Sequence, residues 1–549
     1  MKALRNSFLC LILLCGAMVL GAQAPQWQWA VRAGGTDYEE SISIATDSQG
    51  NQYITGMFDE IATFGSHTLT TSGGGDIFVA KLDASGNWLW AVRAGGTEND
   101  WGLFITVDGA DNAYVTGYFQ NTATFGNHTL TTNGEHDIFA AKLDPSGNWL
   151  WAVKAGGIDW DIGGGIDVDE AGNVYVTGYF CYTATFGSHT LTASGGADIF
   201  AAKLDPSGNW LWAVKAGGSG NDFGIRIALD GTGNAYVTGL FQGTVSFGSH
   251  TLTANGESDI FIAKLDPSGN WLWAVMGGGN NDINVFGFVV DGSGNAWVNG
   301  SFYDTATFGS HTLTANGEKD IVVARLDPAG NWLWAVKAGG IDYDNGYGIA
   351  LDSAGNAYAC GSFCETATFG SHPLSAVGWI DIFVAKLDSS GNWLWAINVG
   401  GNEYINNAGS GIAVDGAGNA CVTGYFYETA TFGIHTLTAS GESDIFVAKL
   451  GSGTPVEDEL APQAVARLHN AYPNPLNRDG SALIKADIPE RSSATLSIFN
   501  LRGQIVARHK LGSGSQQISF SGEGLPAGVY LYSLQCGDYR ETRKLVLLK

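Results

Sequence analysis

The sequence is poor in proline, cysteine and positive charge. Its 549 residues include 12 Pro, 7 Cys and 27 Lys+Arg, against 53 Asp+Glu, and the net charge is −26. With 79 Gly, the combined share of Gly and Pro stays below that of disordered low-complexity chains. Because hydrophobic residues make up 45% of the chain and 18 residues are Trp, we expect a folded protein with a large core.

The few cysteines do not predict a disulfide framework. Cys10 and Cys15 lie in the N-terminal segment discussed next, and the remaining five cannot all pair internally. Cys360 and Cys364 would lie about 13 Å apart on a strand, beyond disulfide reach. We therefore expect buried thiols rather than bridges or metal ligands.

Long hydrophobic runs are missing after the N-terminus. The first residues carry Lys2 and Arg5, an apolar run follows over residues 8–20, and small residues end at Ala24. This pattern is typical of a secretory signal peptide over residues 1–24, cleaved near Ala22 or Ala24. Since no later run reaches about 18 apolar residues, we expect no transmembrane segment.

A repeat of 61 residues runs through most of the chain. The motif Trp-x-Trp-Ala recurs at one constant spacing, with its second Trp at positions 29, 90, 151, 212, 273, 334 and 395. Four short apolar runs in each repeat, separated by turn residues, predict four strands. The sequence therefore predicts an all-β fold, a seven-bladed β-propeller over residues 25–453.

Turns and chain ends support this interpretation. Asp-x-x-Gly-Asn motifs follow the first and third strands, where Asp bonds the turn backbone and Gly supplies the left-handed residue. The array begins with a fourth strand at Trp27 and stops after a third strand at Leu450. We expect these two fragments to complete one blade, so that the N-terminal strand closes the ring and hides its edges.

The repeated motifs resemble the bacterial SBBP-type β-propeller repeat family. The resemblance rests on Trp-Ala-x-x-x-Gly-Gly, Asp-x-x-Gly-Asn-x-Tyr-x-Thr-Gly and Asp-Ile-Phe-Val-Ala-Lys. It implies the fold and a secreted or surface setting, but no activity that could be assigned to particular residues.

The C-terminal residues have a different composition and follow a linker at residues 454–468. Residues 469–549 resemble the C-terminal sorting domain of type IX secretion substrates, through Ala-Tyr-Pro-Asn-Pro at 471–475, Leu-Pro-Ala-Gly-Val-Tyr at 525–530, the Asn-Leu-Arg-Gly-Gln motif around Gly503, and the terminal Arg-Lys-Leu-Val-Leu-Leu-Lys. The resemblance implies a small β-sandwich that binds the type IX secretion machinery. It also implies a protein that is secreted or attached to the outer cell surface.

Charge divides along the same boundary. Residues 25–460 carry 14 Lys+Arg against 47 Asp+Glu, whereas residues 461–549 carry 11 against 6. Such an acidic propeller disfavours binding to nucleic acid or anionic membranes, since both need basic patches. The sequence predicts no cofactor and leaves Ca²⁺ open.

Loops on the face opposite the tight turns are the predicted working face, because binding residues usually lie on loops of a rigid scaffold. One His recurs in each repeat (His67, His128, His189, His250, His311, His372 and His435), but the seven are spread over separate blades, and we predict no metal site. Trp297 replaces a repeated strand Tyr and is expected in the core. Residues that break the repeat in these loops are more informative.

Aromatic side chains alternate with carboxylates in these loops. Such a surface suits sugar rings, which stack their C–H faces and donate hydroxyl hydrogen bonds; alternatively, the aromatic residues pack the seams between blades. The candidate ligand-binding residues are Tyr38, Glu39, Asp100, Trp101, Trp160, Asp161, Asp222, Phe223, Tyr343, Asp344, Trp379 and Tyr404.

Catalytic motifs are absent from the sequence, and the pairs Asp159/Asp161 and Asp342/Asp344 are common in Gly-rich loops. The favoured hypothesis is a non-catalytic binding or adhesion module with a glycan ligand. Two alternatives stay open: a cell-envelope scaffold that binds a surface protein, and a polysaccharide-cleaving enzyme.

Overall fold

In a computed structural model of the chain, residues 25–401, 407–451, 467–469, 471–477, 480–488, 493–536 and 539–548 are described. These residues contain β-strands and turns and no helix. The chain divides into two compact parts, residues up to 454 and residues from 455 onward. The predicted signal peptide and Tyr404 lie outside the described residues, as does nearly all of the predicted linker.

Strands of the first part group into antiparallel repeat units of four, numbered 1 to 7 in chain order. Unit 1 contains β2 (Glu39–Thr46), β3 (Gln52–Phe58), β6 (Asp76–Leu82) and β7 (Trp88–Gly95). Unit 2 contains β8 (Trp101–Val107), β9 (Ala113–Phe125), β10 (His128–Leu143) and β11 (Trp149–Ala155). Unit 3 contains β12 (Ile162–Val168), β13 (Val174–Phe186), β14 (His189–Leu204) and β15 (Trp210–Gly218). Unit 4 contains β16 (Phe223–Leu229), β17 (Ala235–Phe241), β20 (Asp259–Leu265) and β21 (Trp271–Gly279). Unit 5 contains β22 (Ile283–Val290), β23 (Ala296–Phe308), β24 (His311–Leu326) and β25 (Trp332–Ala338). Unit 6 contains β26 (Asn345–Leu351), β27 (Ala357–Phe369), β28 (His372–Leu387) and β29 (Trp393–Gly401). Unit 7 contains β30 (Ala408–Val414), β31 (Ala420–Phe426), β34 (Asp444–Leu450) and β1 (Trp27–Ala33).

The two predicted turns form as expected. In the first turn of unit 1, Asp47 Oδ1 accepts the backbone N–H groups of Gln49 and Asn51 at 3.0 and 2.8 Å, and Gly50 has φ +78°. In the second turn, Asp83 Oδ1 accepts those of Ser85 and Asn87, both at 2.9 Å. The side chain of Asp thus satisfies the turn backbone, which fixes both hairpins of the unit.

Ends of the array meet in unit 7. Strand β1 pairs antiparallel with β34, so that Ala30 lies opposite Ala448 and Val31 opposite Val447. First strands of successive units contact one another in the order β2, β8, β12, β16, β22, β26 and β30, and β30 contacts β2 again. The units are therefore in cyclic contact, which makes the first part an all-β, propeller-like fold.

Tryptophans of the repeated motif seal the seams between units. The second Trp of one unit donates its indole N–H to the second turn of the next: Trp90 Nε1 lies 3.0 Å from the carbonyl of Pro145, and Trp29 Nε1 lies 3.2 Å from that of Ala84. The first Trp packs edge-on against a Phe of its own unit, as Trp149 does against Phe125. Both tryptophans are half-buried, so they lie at the outer seam and not in the fully enclosed core.

An extra hairpin separates the second and third strands of every unit. In units 1, 4 and 7 it forms separate strands, β4 (Ile61–Phe64) and β5 (His67–Thr70), β18 (Thr244–Phe247) and β19 (His250–Thr253), and β32 (Thr429–Phe432) and β33 (His435–Thr438); elsewhere it extends the two long strands. The hairpin pairs with the end of the fourth strand of the preceding unit. For example, Ser246 in the hairpin of unit 4 pairs with Gly217 at the end of β15 in unit 3. These bridges and the seam tryptophans hold neighbouring units together.

The second part contains two antiparallel sheets. They are formed by β35 (Arg467–Leu468), β36 (Ser481–Ile488) and β39 (Gly514–Ser521), and by β38 (Ile505–Leu511), β37 (Ala494–Asn500), β40 (Gly528–Cys536) and β41 (Tyr539–Leu547). Both sheets contribute to one hydrophobic core, with Ile484 from the first and Ile498 and Leu545 from the second. Tyr532 is buried in this core and donates its hydroxyl to the carbonyl of His469 at 3.0 Å.

Candidate functional site

Each first strand carries a β-bulge near its start, at the same position in every unit. In unit 1 the bulge lies between Ser41 and Ser43, and in unit 2 between Gly102 and Phe104. A bulge re-aims the side chains around it. The residues just before it, with their cross-strand partners on the second strand, are equivalent in all seven units.

We call these fourteen residues the entrance ring, because they lie where the first strands begin around the axis. On the first strands they are Glu40, Trp101, Ile162, Phe223, Asn284, Asn345 and Ala408, and on the second strands Met57, Tyr118, Tyr179, Leu240, Ser301, Ser362 and Tyr425. Across the seam between units, Tyr179 contacts Phe223 with ring centroids 4.8 Å apart. In the equivalent seam Ser301 Oγ lies 3.4 Å from Asn345 Oδ1.

The entrance ring is chemically uneven. Units 2 to 4 present aromatic residues, whereas units 5 and 6 present Asn and Ser at the same positions. Residues repeated in every unit build the scaffold, so this unevenness distinguishes one side of the ring from the other. A ligand that approaches the axis therefore meets an aromatic side and a polar side.

Four aromatic rings form one continuous array from the entrance ring outward. Trp101 stacks on Tyr118 with ring centroids 6.5 Å apart and an interplanar angle of 14°. The ring centroids of Tyr118 and His136 lie 5.2 Å apart, and those of His136 and Trp160 lie 4.6 Å apart. Trp160 is 47% exposed. The structure thus brings together the predicted residues Trp101 and Trp160 through two residues that the sequence did not single out.

Trp160 is held in a fixed orientation. Its indole N–H donates to the Glu135 carboxylate, and its backbone N–H donates to Asp159 Oδ1 at 2.8 Å. The next residue, Asp161, donates its backbone N–H to the carbonyl of His136 at 3.1 Å. Burial lowers the pKa of His136, which favours its neutral form beside the indole. The array is therefore preorganised.

The five carboxylates predicted beside these aromatics face inward. Glu39, Asp100, Asp161, Asp222 and Asp344 are completely buried. Asp161 Oδ2 accepts the N–H of Gly157 at 2.6 Å and Oδ1 that of Cys181 at 3.0 Å, and the other three Asp make equivalent bonds. The four Asp carboxylates thus join the Gly-Gly loop to the second strand, whereas Glu39 Oε2 accepts the N–H of Gly35 at 2.8 Å. All five are enclosed in the fold and are not exposed to a ligand at the surface.

Burial also changes the charge of this group. It raises the pKa of Asp100, Asp161 and Asp344 to about 7, that of Asp222 to about 6 and that of Glu39 to about 8, although backbone N–H donors lower each of them. A second buried carboxylate lies close by, since Asp137 raises the pKa of Asp161 further. Burial thus shifts the titration of these carboxyl groups toward neutral pH.

The remaining predicted aromatics lie apart from the array. Phe223 belongs to the entrance ring, Tyr343 contacts Tyr303 at 6.5 Å between units 5 and 6, and Trp379 is 56% exposed on β28 of unit 6. Tyr38 donates its hydroxyl to Glu40 at 3.0 Å. In the part of the chain that the structure describes, no ring contact joins Trp379 to Trp101 or Trp160.

The axis below the entrance ring is closed by side chains. The Arg226 guanidinium lies 4.7 Å from the centre of the Phe104 ring and donates to the carbonyl of Gly164 at 3.1 Å. Gly165 of unit 3 lets the backbone of β16 approach closely, since a Cβ on Gly165 would lie 2.9 Å from Arg226 Cα. Burial lowers the pKa of Arg226 to about 10. A cavity of about 50 Å³ remains beside Arg226 and Phe104.

Two further observations concern metals and membranes. Within the described ranges, no group of three or more His, Cys, Asp or Glu side chains is placed to hold a metal ion. The repeated histidines begin the second strand of each extra hairpin, where His67 lies opposite Phe64. No helix in the described part is long and apolar enough to cross a membrane.

Comparison with known protein families identifies the C-terminal part. Residues 470–548 match the family described as the secretion system C-terminal sorting domain. The match agrees with the resemblance noted in the sequence and indicates export to the cell surface or secretion.

Two curated relatives match this chain but are much longer. An uncharacterised WD repeat-containing protein of Acanthamoeba polyphaga mimivirus is 25% identical over 72% of this chain and 36% of its own length. The regulatory protein FlaEY of Caulobacter vibrioides is 24% identical over 63% of this chain and 38% of its own length. The chain thus spans less than two fifths of either relative.

Solved structures align over most of the chain at low identity. A fungal alcohol oxidase of the AA5 family, in complex with copper, covers 95% of this chain and 100% of its own at 11% identity, with a TM-score of 0.40. PorZ, a bacterial surface component of the type IX secretion system of Porphyromonas gingivalis, covers 93% and 81% at 14% identity, with a TM-score of 0.22.

Proposed function

We propose that the protein is a type IX secretion substrate whose repeats form a seven-bladed β-propeller of the SBBP type and whose C-terminal part folds as a small β-sandwich. The propeller acts as a non-catalytic binding or adhesion module at the cell surface, and its ligand is a glycan. Residues 469–549 bind the secretion machinery, and the propeller needs no cofactor.

The cyclic contacts of the first strands support the seven-bladed ring. The pairing of β1 with β34 supports closure by the N-terminal strand, because it gives unit 7 its fourth strand. The shared core of the two C-terminal sheets supports the sandwich. The match of residues 470–548 supports the export route.

The aromatic array is the observation that carries the glycan proposal. Its two tryptophans present flat apolar surfaces, and the array leads from exposed Trp160 to the entrance ring at Trp101. Sugar rings stack on such surfaces through their C–H faces, while peripheral hydroxyls bond to polar neighbours. The exposed Glu135, which already accepts from Trp160, supplies one such neighbour.

The burial of one carboxylate in each Asp-x-Asp pair supports the non-catalytic assignment. Glycoside hydrolysis by an acid and a base needs two carboxyl groups that reach the same glycosidic bond. In each Asp-x-Asp pair, however, the second carboxylate is buried and bonded to backbone N–H groups, as Asp161 and Asp344 show. The burial of Asp161 and Asp344 supports a role of these pairs in the fold.

Binding of the full-length chain to a broad glycan array tests the proposal. We expect reproducible binding to a limited set of glycans, weakened when Trp101 or Trp160 is replaced by Ala. Binding to none of the glycans would contradict the glycan proposal, and capture of one specific surface protein by cross-linking would then favour a scaffold. Shortened polymer chains after incubation with the protein would contradict the non-catalytic assignment.

A further inference from the structure

A single charged side chain lies in the entrance ring. Thirteen of its fourteen residues are apolar, aromatic or uncharged polar, and the exception is Glu40 at the start of β2. The equivalent position in unit 4 is Phe223, which packs on Tyr179 of the preceding unit. By the same seam geometry, Glu40 lies against Tyr425 of unit 7.

One tyrosine bonds to this carboxylate, and three more lie near enough for its charge to act on them. Tyr38 donates its hydroxyl to Glu40 Oε2 at 3.0 Å. Tyr425 and Tyr427 contact each other with ring centroids 6.0 Å apart and an interplanar angle of 83°. Tyr347 occupies the bulge position of unit 6 and packs on Phe286 at 5.7 Å. All four rings are half-buried, and they come from units 1, 6 and 7.

Electrostatics show that these rings and Glu40 share one environment. Burial raises the pKa of all four tyrosines, and the charge of Glu40 raises each of them further. Burial also raises the pKa of Glu40, against which the hydrogen bond from Tyr38 acts. Among the described residues, no Lys or Arg forms an ion pair with Glu40. The site therefore combines a partly desolvated carboxyl group with nearby tyrosine rings.

We propose that Glu40, Tyr38, Tyr347, Tyr425 and Tyr427 form a binding site for an alkylammonium group, such as a quaternary ammonium or a methylated lysine side chain. Aromatic faces attract a cation through the ring quadrupole, and a carboxylate supplies the counter-charge. An acidic surface around the site raises the local concentration of cations. The site draws on units 1, 6 and 7, whereas the aromatic array lies in unit 2 and in the loop that leads to unit 3, and the inference does not rest on the glycan proposal.

Calorimetric titration of the full-length chain with choline and with its neutral isostere 3,3-dimethyl-1-butanol tests the site. We expect saturable binding of choline and at least roughly tenfold weaker binding of the neutral alcohol, since only the charged ligand can make cation–π contacts. E40Q should weaken choline binding about tenfold. Y425L should weaken it about fivefold, whereas Y425F, which keeps the ring, should stay within about twofold.

A control is Y182L, which removes an exposed tyrosine of unit 3 outside the entrance ring and should leave choline binding unaltered. Thermal unfolding of each variant establishes that the fold is retained. A trimethyllysine peptide that binds more tightly than choline would assign the site to protein tails, and the reverse order to small solutes or lipid headgroups; both support the inference. Equal binding of choline and the neutral alcohol, or unchanged affinity in E40Q, would overturn it.

Discussion

The seam between units predicts an unequal response of two glycines with the same backbone conformation. Gly147, in the second turn of unit 2, has φ +84°, and Gly355, in the first turn of unit 6, has φ +79°. A Cβ on Gly147 would lie 2.9 Å from Trp90 Cδ2 and 3.0 Å from Cε3, whereas a Cβ on Gly355 would meet no heavy atom within 4 Å. The two positions share the cost of a left-handed alanine and differ in the contact with the neighbouring unit.

Replacing each glycine by Ala separates these contributions. The left-handed conformation costs about 1–2 kcal/mol for an L-residue, and we expect this loss of unfolding free energy for Gly355→Ala. Gly147→Ala adds overpacking against the Trp90 ring, at about 1–3 kcal/mol, and disturbs the hydrogen bond from Trp90 Nε1 to the carbonyl of Pro145. Its total should therefore reach about 2–5 kcal/mol.

The assay is denaturant unfolding followed by far-ultraviolet circular dichroism, in a cycle that includes Trp90→Ala. In that background Gly147→Ala should cost no more than Gly355→Ala, because the indole is gone, and the cycle should return a coupling of about 1–3 kcal/mol. Equal losses for the two glycine variants in the wild-type background, or no coupling, would refute the stacking of one unit on the turn of the next.

Three further predictions concern charge and export. Asp259 and Asp137 are equivalent buried residues; Asp137 pairs with Lys154 at 3.0 Å, whereas the position equivalent to Lys154 is Met276 in the unit of Asp259. Met276→Lys should therefore stabilise the fold by about 1 kcal/mol, as measured by denaturant unfolding. An unchanged unfolding midpoint would contradict this prediction. Burial raises the folded-state pKa of Glu39 to about 8 and of Asp100, Asp161 and Asp344 to about 7, so the folded chain holds more protons than the unfolded chain above about pH 4. The free energy of unfolding should therefore decrease as the pH rises from about 5 to 8. A melting temperature that rises over this range would be inconsistent with buried carboxyl groups. Fusion of residues 467–549 to a periplasmic reporter should direct it to the surface of a host with type IX secretion, as detected by protease accessibility, and retention in the periplasm would count against a sorting role.

Much of the fold follows from local rules in the sequence. The constant spacing of the Trp motif, the Asp and Gly of each turn and the incomplete repeats at both ends predicted four-stranded units and the pairing of β1 with β34. Trp297 was predicted in the core and is fully buried, with the Arg325 guanidinium 4.4 Å from its ring. Such features depend on neighbours in sequence or on a repeated position.

The candidate site was only partly predictable, because it depends on contacts between units. Tyr118 stands at a strand position that is also Tyr in two other units, and His136 belongs to no repeated motif, so neither residue stands out in the sequence. Both become part of the array only when the bulge of β8 and the loop before β12 bring Trp101 and Trp160 beside them. The direction of Asp161 was equally hidden, since a loop carboxylate that bonds backbone N–H groups has the same sequence pattern as an exposed one.

The aromatic array as a glycan site is the central claim, and the most direct measurement is the affinity of three full-length proteins for the best ligand from the array. Wild type, W160A and W379A differ at one exposed tryptophan each, and only Trp160 belongs to the array. We predict a loss of about tenfold or more for W160A, equal to about 1.4 kcal/mol, and less than about twofold for W379A. Equal affinities of W160A and wild type, or a larger loss in W379A, would contradict the proposed site.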